Sequence, residues 1–316
     1  MKPHRSKWQS LPTEAINPAS LSIDKLDATG IVDLMLVEDR RMLAAVQKER
    51  DRIALGAEMC ARALKTKGGR IVFVGAGTSG RLGALESAEM PPTFGTDPAL
   101  VQAIIAGGRG ALLRASEGAE DNYEEGARAL ARLLPTKKDV VVGVSASGMT
   151  PFVRGALTSA RQAGSRVVFV TCDPRTELQA FVDLTIAPSV GPEIIAGSTR
   201  LKAGTATKLV LNMLTTAAMI LTGKTYGNLM VDVNALGSEK LKDRARRILN
   251  IVTGLDYDEA DRLLKRARWD VKVAIVMQKA HLPYARAAAR LRRSDDLIRE
   301  TIGEDIEPTL RALLRM

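Results

Sequence analysis

The sequence is poor in cysteine, histidine and aromatic residues. Among its 316 residues there are two cysteines and two histidines, and Phe, Trp and Tyr together account for 3%. Cys60 and Cys172 lie far apart, so we expect no disulfide framework and a reducing, cytoplasmic environment. Because His4 lies near the start of the sequence and His281 near its end, we expect neither a histidine-centred triad nor a metal site. The low aromatic content argues against a stacking surface for nucleic acid.

The sequence also lacks an apolar leader and an apolar run long enough to span a membrane. Residues 1–16 mix charged residues, proline and tryptophan, which is not the pattern of a secretory signal. The most apolar segment, residues 209–221, is short, is interrupted by Asn212 and is flanked by Lys208 and Lys224. We therefore expect a cytoplasmic protein with no membrane partner.

The formal net charge is +10, and much of the excess follows Glu239, where 18 Lys and Arg stand against 12 Asp and Glu, a difference of +6. Because acidic residues are interspersed among these cations, we interpret them as solvated helix faces. A functional basic patch is the alternative, but we expect no nucleic-acid partner.

Short apolar runs alternate with helical stretches after residue 68, which is typical of a parallel α/β sheet. At 46% hydrophobic residues the chain can build a full core around such a sheet. We expect a doubly wound five-stranded sheet of order 2-1-3-4-5, which binds ligands at the carboxyl ends of its first and third strands. The predicted strands are residues 70–75, 101–106, 139–144, 166–172 and 184–187, and the predicted helices lie near residues 79–90, 121–133, 151–163 and 201–221.

Helical periodicity without strands precedes and follows this region. Residues 31–65 predict one long helix or two consecutive ones, and residues 243–314 predict several short helices. The sequence therefore divides into an N-terminal arm with helices (1–65), a sheet domain (66–235) and a small C-terminal helical subdomain (236–316).

Two loops rich in glycine and hydroxyl side chains follow the first and third predicted strands. Residues 75–80 read GAGTSG and residues 145–150 read SASGMT. At a strand-to-helix turn, unpaired backbone N–H groups and the positive end of the helix dipole favour a phosphate. We therefore expect one phosphorylated ligand held from two sides. The candidate binding residues are Thr78, Ser79, Gly80, Ser145, Ser147, Gly148 and Thr150.

Each loop also has another interpretation. The first loop fits the G-x-G-x-x-G pattern of dinucleotide sites, but the second predicted strand ends in Ala106-Gly107-Gly108, without the acidic residue that would bind a ribose. Its glycines could also serve the turn alone. The hydroxyl groups of the second loop could serve as an ordinary helix N-cap, although a cap needs only one.

Carboxylates are the remaining candidates for acid–base chemistry. Glu86 and Glu89 share a helix face downstream of the first loop, just before Pro91-Pro92, which we expect to stop the helix. Glu117 and Glu120 follow the second predicted strand. Any one of them alone is also consistent with a surface carboxylate, but all four are expected at the edge of the sheet that carries the loops.

A further polar segment, residues 191–208, concentrates charged and hydroxyl residues at a predicted helix start. An ordinary capped helix with solvated cations is one interpretation, and close packing against a ligand is the other. The candidate binding residues in this segment are Glu193, Ser198, Arg200 and Lys202.

Taken in order, these motifs resemble those of N-acetylmuramic acid 6-phosphate etherases, members of the sugar isomerase (SIS) domain superfamily and relatives of glucokinase regulatory proteins. The resemblance rests on the two loops, on Ser-Ala-Glu at 87–89, on Gly-Ala-Glu-Asp at 118–121, on the 191–208 segment and on residues 227–233. Met90, Glu86 and Met149 stand where relatives can carry Cys, Asp and Arg.

The resemblance implies an SIS fold, a C-terminal unit like a ubiquitin-associated domain, and a homodimer with sites near the subunit interface. It implies a lyase of cell-wall sugar recycling that removes the C3 D-lactyl ether by elimination and rehydration, giving N-acetylglucosamine 6-phosphate and D-lactate. The family's two acid–base glutamates map onto Glu89 and Glu120, and the chemistry requires no cofactor or metal. Two rival functions are a non-catalytic sugar-phosphate regulator and an aldose-ketose phosphate isomerase.

Overall fold

The computed structural model, which describes residues 11–315, contains a five-stranded parallel sheet. The strand order is β2-β1-β3-β4-β5, which confirms the topology predicted from the sequence. The strands are β1 (Ile71–Gly75), β2 (Val101–Ile105), β3 (Val140–Val144), β4 (Arg166–Val170) and β5 (Leu184–Ile186).

Helices precede the sheet, connect its strands and follow it. Those that precede or connect the strands are α1 (Ala28–Lys48), α2 (Arg50–Lys65), α3 (Gly77–Phe94), α4 (Tyr123–Ala131) and α5 (Pro151–Gln162). Those that follow are α6 (Lys202–Leu221), α7 (Glu239–Thr253), α8 (Tyr257–Arg266), α9 (Val271–Lys279), α10 (Tyr284–Arg293), α11 (Ile298–Ile302) and α12 (Glu307–Leu313).

The two central strands are apolar along their whole length because helices cover both faces of the sheet. All five residues of β1 and all five of β3 are buried, as expected for a parallel sheet. On one face, α4 and α5 approach each other closely through two glycines. A Cβ atom at Gly126 would lie 1.9 Å from the Phe152 carbonyl oxygen, and one at Gly155 would lie 2.0 Å from that of Tyr123. Any side chain at either position would force the helices apart.

The prediction that Pro91-Pro92 stops its helix is wrong. Both prolines lie inside α3, which continues to Phe94. Each proline lacks the N–H that would donate to the carbonyl four residues earlier, so α3 loses one hydrogen bond at each position, yet it continues for two residues beyond Pro92. The helix ends where the Gly95 N–H donates to the Pro91 carbonyl at 3.0 Å, with Gly95 in a left-handed conformation at φ +59°.

Helix α6 is a core helix. Among residues 11–315 it is the one helix that is long and apolar enough to cross a membrane by length and composition. However, 50% of its most apolar 18-residue stretch is buried inside the protein. Val210, Leu211 and Leu214 are fully buried, and a Cβ atom at Gly56 of α2 would lie 2.7 Å from Leu214. Its apolar character is therefore explained by packing.

The described chain forms two compact units. The first comprises residues 11–87 and Ala99–Ala217 and contains the sheet, and the second comprises Ala88–Pro98 and residues 218–315. The second has its own core, to which the fully buried Leu249 and Leu264 belong. Asp256 and Glu259 form a capping box at the start of α8. The three segments predicted from the sequence divide the chain differently and stay a prediction.

Candidate active site

The two hydroxyl-rich loops leave the sheet at the same edge. Strands β1 and β3 are parallel neighbours, with Gly75 paired with Val144, so the loop after each strand begins at the same level. The first loop leads into α3 and the second into α5. Two helix N-termini, with their unpaired N–H groups and positive dipole ends, therefore start at one edge.

The glycines of the first loop allow close packing of the turn. A Cβ atom at Gly75 would lie 2.6 Å from the Gly80 nitrogen, and one at Gly80 would lie 2.5 Å from Ile105 of β2. Gly77 has φ +51°, in the left-handed region that favours glycine. Packing thus accounts for Gly75 and Gly80, and direct ligand binding by Gly80 stays a prediction.

The hydroxyl groups of the second loop contact one another. The Ser145 and Thr150 hydroxyl oxygens are 2.7 Å apart, and those of Ser145 and Ser147 are 3.5 Å apart. Thr150 occupies the N-cap of α5 but makes no side-chain cap hydrogen bond, so ordinary capping does not explain these hydroxyls. Gly148 adopts φ +75°, and its carbonyl accepts a hydrogen bond from the Thr176 hydroxyl at 3.1 Å.

Both loops line one cavity of about 380 Å³ within the first unit. The structure brings together there most of the residues predicted for phosphate binding, together with one predicted acid–base glutamate. These are Thr78, Ser79, Ser145, Ser147, Thr150 and Glu120. The lining also includes Glu14, Thr199 and Thr207, which we did not predict as site residues. Gly148 instead lines a neighbouring cavity of about 430 Å³.

Glu120 lies in a short 3-10 turn, Ala119–Asp121, that follows Gly118 in a left-handed conformation. It borders the 380 Å³ cavity and also an adjoining one of about 230 Å³. Desolvation by the surrounding protein, together with the negative charges of Asp121 and Glu117, raises the pKa of Glu120. A carboxyl group in this state exchanges protons closer to neutral pH than an ordinary one does.

Glu89 lies on α3 in the second unit, and it is exposed. Its role as the partner of Glu120 stays a prediction. Glu86, one helical turn earlier, is 3% exposed, and its carboxylate accepts hydrogen bonds from the Thr215 hydroxyl at 2.8 Å and from the Asn212 amide. Glu86 therefore ties α3 to α6, a structural role that the sequence did not distinguish from catalysis.

Two charged residues of the 191–208 segment are buried in the fold. Glu193 is fully buried and accepts hydrogen bonds from the backbone N–H groups of Lys202, at 3.0 Å, and Ala203, at 2.9 Å. The Lys202 ammonium contacts the Glu38 carboxylate at 2.6 Å. These contacts hold the start of α6, and the structure does not bring either residue to the lining of the cavity. Their assignment to ligand binding, like that of Ser198 and the exposed Arg200, stays a prediction.

Comparisons with known proteins identify the family. The chain is 50% identical over 288 residues to an N-acetylmuramic acid 6-phosphate etherase of Gloeobacter violaceus, covering 91% of this chain and 94% of the relative. It is 49% identical over 298 residues to the enzyme of the same name from Salinibacter ruber, covering 94% and 95%. The chain belongs to the N-acetylmuramic acid 6-phosphate etherase family. The resemblance noted in the sequence is confirmed.

Two further comparisons concern the sheet domain. The family model of the glucokinase regulatory protein N-terminal SIS domain matches residues 53–161, and the chain has an SIS fold. Among solved structures, a phosphoheptose isomerase from Neisseria gonorrhoeae is similar at a TM-score of 0.45 and 16% identity, covering 62% of this chain and 98% of that one.

Proposed function

We propose that this member of the etherase family cleaves the C3 D-lactyl ether of N-acetylmuramic acid 6-phosphate, giving N-acetylglucosamine 6-phosphate and D-lactate in cell-wall sugar recycling. Such an enzyme is a carbon–oxygen lyase. Beyond family membership, one observation carries the proposal: a single cavity combines two hydroxyl-rich loops with a carboxyl group of raised pKa. The loops suit a phosphate, and the carboxyl group suits proton transfer.

Elimination explains how such a site breaks an ether bond. In the open-chain sugar, the aldehyde at C1 acidifies the C2 proton, so a base that removes it drives electrons toward C3. The C3–oxygen bond then breaks, and an acid protonates the departing lactyl oxygen. Water adds at C3 of the resulting unsaturated aldehyde, and C2 regains a proton. The overall reaction consumes one water and needs one base and one acid.

Glu120 is the C2 base in this proposal and Glu89 the acid that protonates departing lactate. Exchanging the two roles leaves the route unchanged. The raised pKa of Glu120 makes it a stronger base than an ordinary carboxylate. Thr78, Ser79, Ser145, Ser147 and Thr150 hold the 6-phosphate, so that binding energy from the far end of the sugar positions C2 and C3.

The pH dependence of the reaction tests the role of Glu120. A base must be ionised, so kcat/KM should fall as the pH drops through the pKa of Glu120. Asp121→Asn removes a like charge that raises this pKa, so the acidic limb of the profile should move to lower pH. Glu124→Gln, an exposed neighbour, serves as the control and should leave the limb in place. If the acidic limb of Asp121→Asn did not move, or moved to higher pH, the assignment of Glu120 as the base would be contradicted.

Lactate release separates the proposed function from its rivals. When the protein is incubated with N-acetylmuramic acid 6-phosphate, we expect equal amounts of D-lactate and N-acetylglucosamine 6-phosphate. A sugar-phosphate regulator or an aldose-ketose isomerase would release no lactate. Absence of lactate from a folded preparation that binds the sugar phosphate would therefore reject the lyase.

We propose that the protein acts as a cytoplasmic homodimer with its sites near the subunit interface. In support, α1 exposes Val32, Leu36 and Leu43, which share one helix face by their spacing. Large apolar side chains exposed on one helix face are typical of an association surface. The two free, buried cysteines are consistent with a reducing compartment.

A further inference from the structure

The N-terminal segment brings a carboxylate into the candidate active site that the sequence did not single out. Glu14 lines the 380 Å³ cavity together with Thr78, Ser79 and Glu120. Within residues 11–315 its side chain makes no hydrogen bond and no ion pair. Glu14 is exposed, so its carboxylate is a charged acceptor at the wall of this cavity, and no described residue uses its hydrogen-bonding capacity.

The backbone on both sides of Glu14 is held in place. On one side the Gly197 N–H donates to the Thr13 carbonyl at 3.1 Å. On the other, the buried Asn17 amide donates to the Glu38 carboxylate at 2.8 Å and to the Pro192 carbonyl at 3.1 Å. Two long-range anchors four residues apart fix where Glu14 lies, as expected for a binding residue that must be preorganised.

Gly197 leaves room for the Glu14 carboxylate. A Cβ atom at Gly197 would lie 2.9 Å from the Glu14 Oε2 atom, and Gly197 has φ +76°, which disfavours any other residue. The carboxylate therefore lies directly against the loop that borders the cavity, with its oxygens beside a residue that lacks a side chain.

The charge of Glu14 decides what it can bind. A carboxylate repels a phosphate, so Glu14 does not add to the phosphate cradle formed by the two loops. It instead accepts hydrogen bonds from neutral donors, which a phosphorylated amino sugar supplies through its hydroxyl groups and its acetamido N–H. The same charge opposes the binding of inorganic phosphate, which offers no such sugar donor in compensation.

We propose that Glu14 recognises the sugar part of the substrate by accepting a hydrogen bond from a hydroxyl or acetamido N–H group, and thereby selects sugar phosphates over phosphate alone. This inference rests on the proposed function for the identity of the sugar. Glu14 is a specificity-determining residue in this account and takes no part in proton transfer.

Calorimetric binding to the full chain tests the proposal, with N-acetylglucosamine 6-phosphate, glucose 6-phosphate and inorganic phosphate as probes. A hydrogen bond to a charged acceptor corresponds to about 10- to 100-fold in affinity. Glu14→Ala should weaken the binding of N-acetylglucosamine 6-phosphate by that factor, while inorganic phosphate should bind equally well or more tightly. Glu14→Gln keeps an acceptor oxygen and should therefore lose less affinity for N-acetylglucosamine 6-phosphate than Glu14→Ala does. Asp24→Asn, an exposed carboxylate of the same segment, is the matched control and should change neither probe.

The pattern across probes decides the outcome. Weaker glucose 6-phosphate binding as well would identify a hydroxyl donor, and a loss confined to the N-acetyl sugar would identify the acetamido group. Three results for Glu14→Ala would overturn the proposal: equally weakened binding of inorganic phosphate, a lowered Tm, or unchanged affinity for the sugar phosphate. The proposal would also fail if the unaltered protein bound no sugar phosphate. Lactate release by the unaltered protein is measured separately: its absence alongside the expected binding pattern would reject the lyase and leave the role of Glu14 intact.

Discussion

Glu120→Gln should reduce lactate release by roughly 10²- to 10⁴-fold, the contribution of a positioned acid or base. Glutamine keeps the size and polarity of the side chain but cannot accept the C2 proton. Because the hydroxyl groups that we assign to the phosphate belong to other residues, binding of N-acetylglucosamine 6-phosphate should change little. The reduction should therefore appear in kcat, measured as lactate formed under saturating substrate.

Glu117→Gln is the matched control for this prediction. Glu117 lies three residues before Glu120 and borders the adjoining 230 Å³ cavity but does not line the larger one. The Glu117→Gln protein should retain most of the lactate-releasing activity. A Glu120→Gln protein that still turns over at a rate near that of the unaltered enzyme would remove Glu120 from the mechanism.

Glu89→Gln should also be inactive, and mixing it with Glu120→Gln tests whether the two glutamates of one site come from different subunits. If they do, each mixed dimer regains one intact site, and random mixing should restore roughly a quarter of the activity. If both glutamates of a site belong to one chain, each mixed dimer carries one altered glutamate in each site, and no activity returns.

Lys202→Met should destabilise the fold by about 3 kcal/mol, the scale of breaking a buried ion pair. The Lys202 and Glu38 side chains are each 3% exposed, so the variant leaves the Glu38 carboxylate buried with Arg41 and Asn17 as its remaining partners. Burial alone raises the pKa of Glu38, but the hydrogen bonds from Lys202 and Asn17 and nearby positive charge hold it below its usual value. Denaturant unfolding measures the loss directly.

The loss of unfolding free energy caused by Lys202→Met should depend on pH; we call this loss the stability deficit. A carboxyl group with a lowered folded pKa stabilises the fold above its unfolded pKa, and this contribution is lost as the pH falls through the folded pKa. The deficit should therefore be largest near neutral pH and shrink in acid, where Glu38 is protonated in both proteins. Lys48→Met, at an exposed position, should change the free energy of unfolding by less than about 0.5 kcal/mol. A deficit for Lys202→Met as small as that of the control would show that the buried pair contributes nothing.

Local sequence patterns predicted most of the sheet and one part of the site. Unbroken apolar runs such as residues 140–144 indicate strands covered on both faces, and their alternation with helices indicates a doubly wound sheet, for which 2-1-3-4-5 is one of the common strand orders. Loops that follow adjacent strands must meet at one edge, so Ser79 and Ser145 could be placed together from the residue pattern alone.

Features that depend on distant partners were not predictable in the same way. The buried partners of Glu193 and Lys202 could not be read from the sequence: Lys202 pairs with Glu38, far away along the chain. Glu193 accepts hydrogen bonds from the backbone at the start of α6. Glu14 was not predicted as a site residue because its place in the cavity depends on long-range backbone contacts with the loop around Gly197. A short motif indicates its own backbone conformation, whereas the partner of a buried side chain can be identified only in the folded structure.

The fate of the lactyl oxygen tests the elimination route most directly. When N-acetylmuramic acid 6-phosphate is converted in water labelled with heavy oxygen and hydrogen, we expect solvent oxygen on sugar C3, solvent hydrogen on C2 and an unlabelled D-lactate hydroxyl. Mass spectrometry of the two products distinguishes these positions. Heavy oxygen in the lactate hydroxyl, with none on the sugar, would show that the bond between the ether oxygen and the lactyl carbon breaks, and would contradict elimination across C2 and C3.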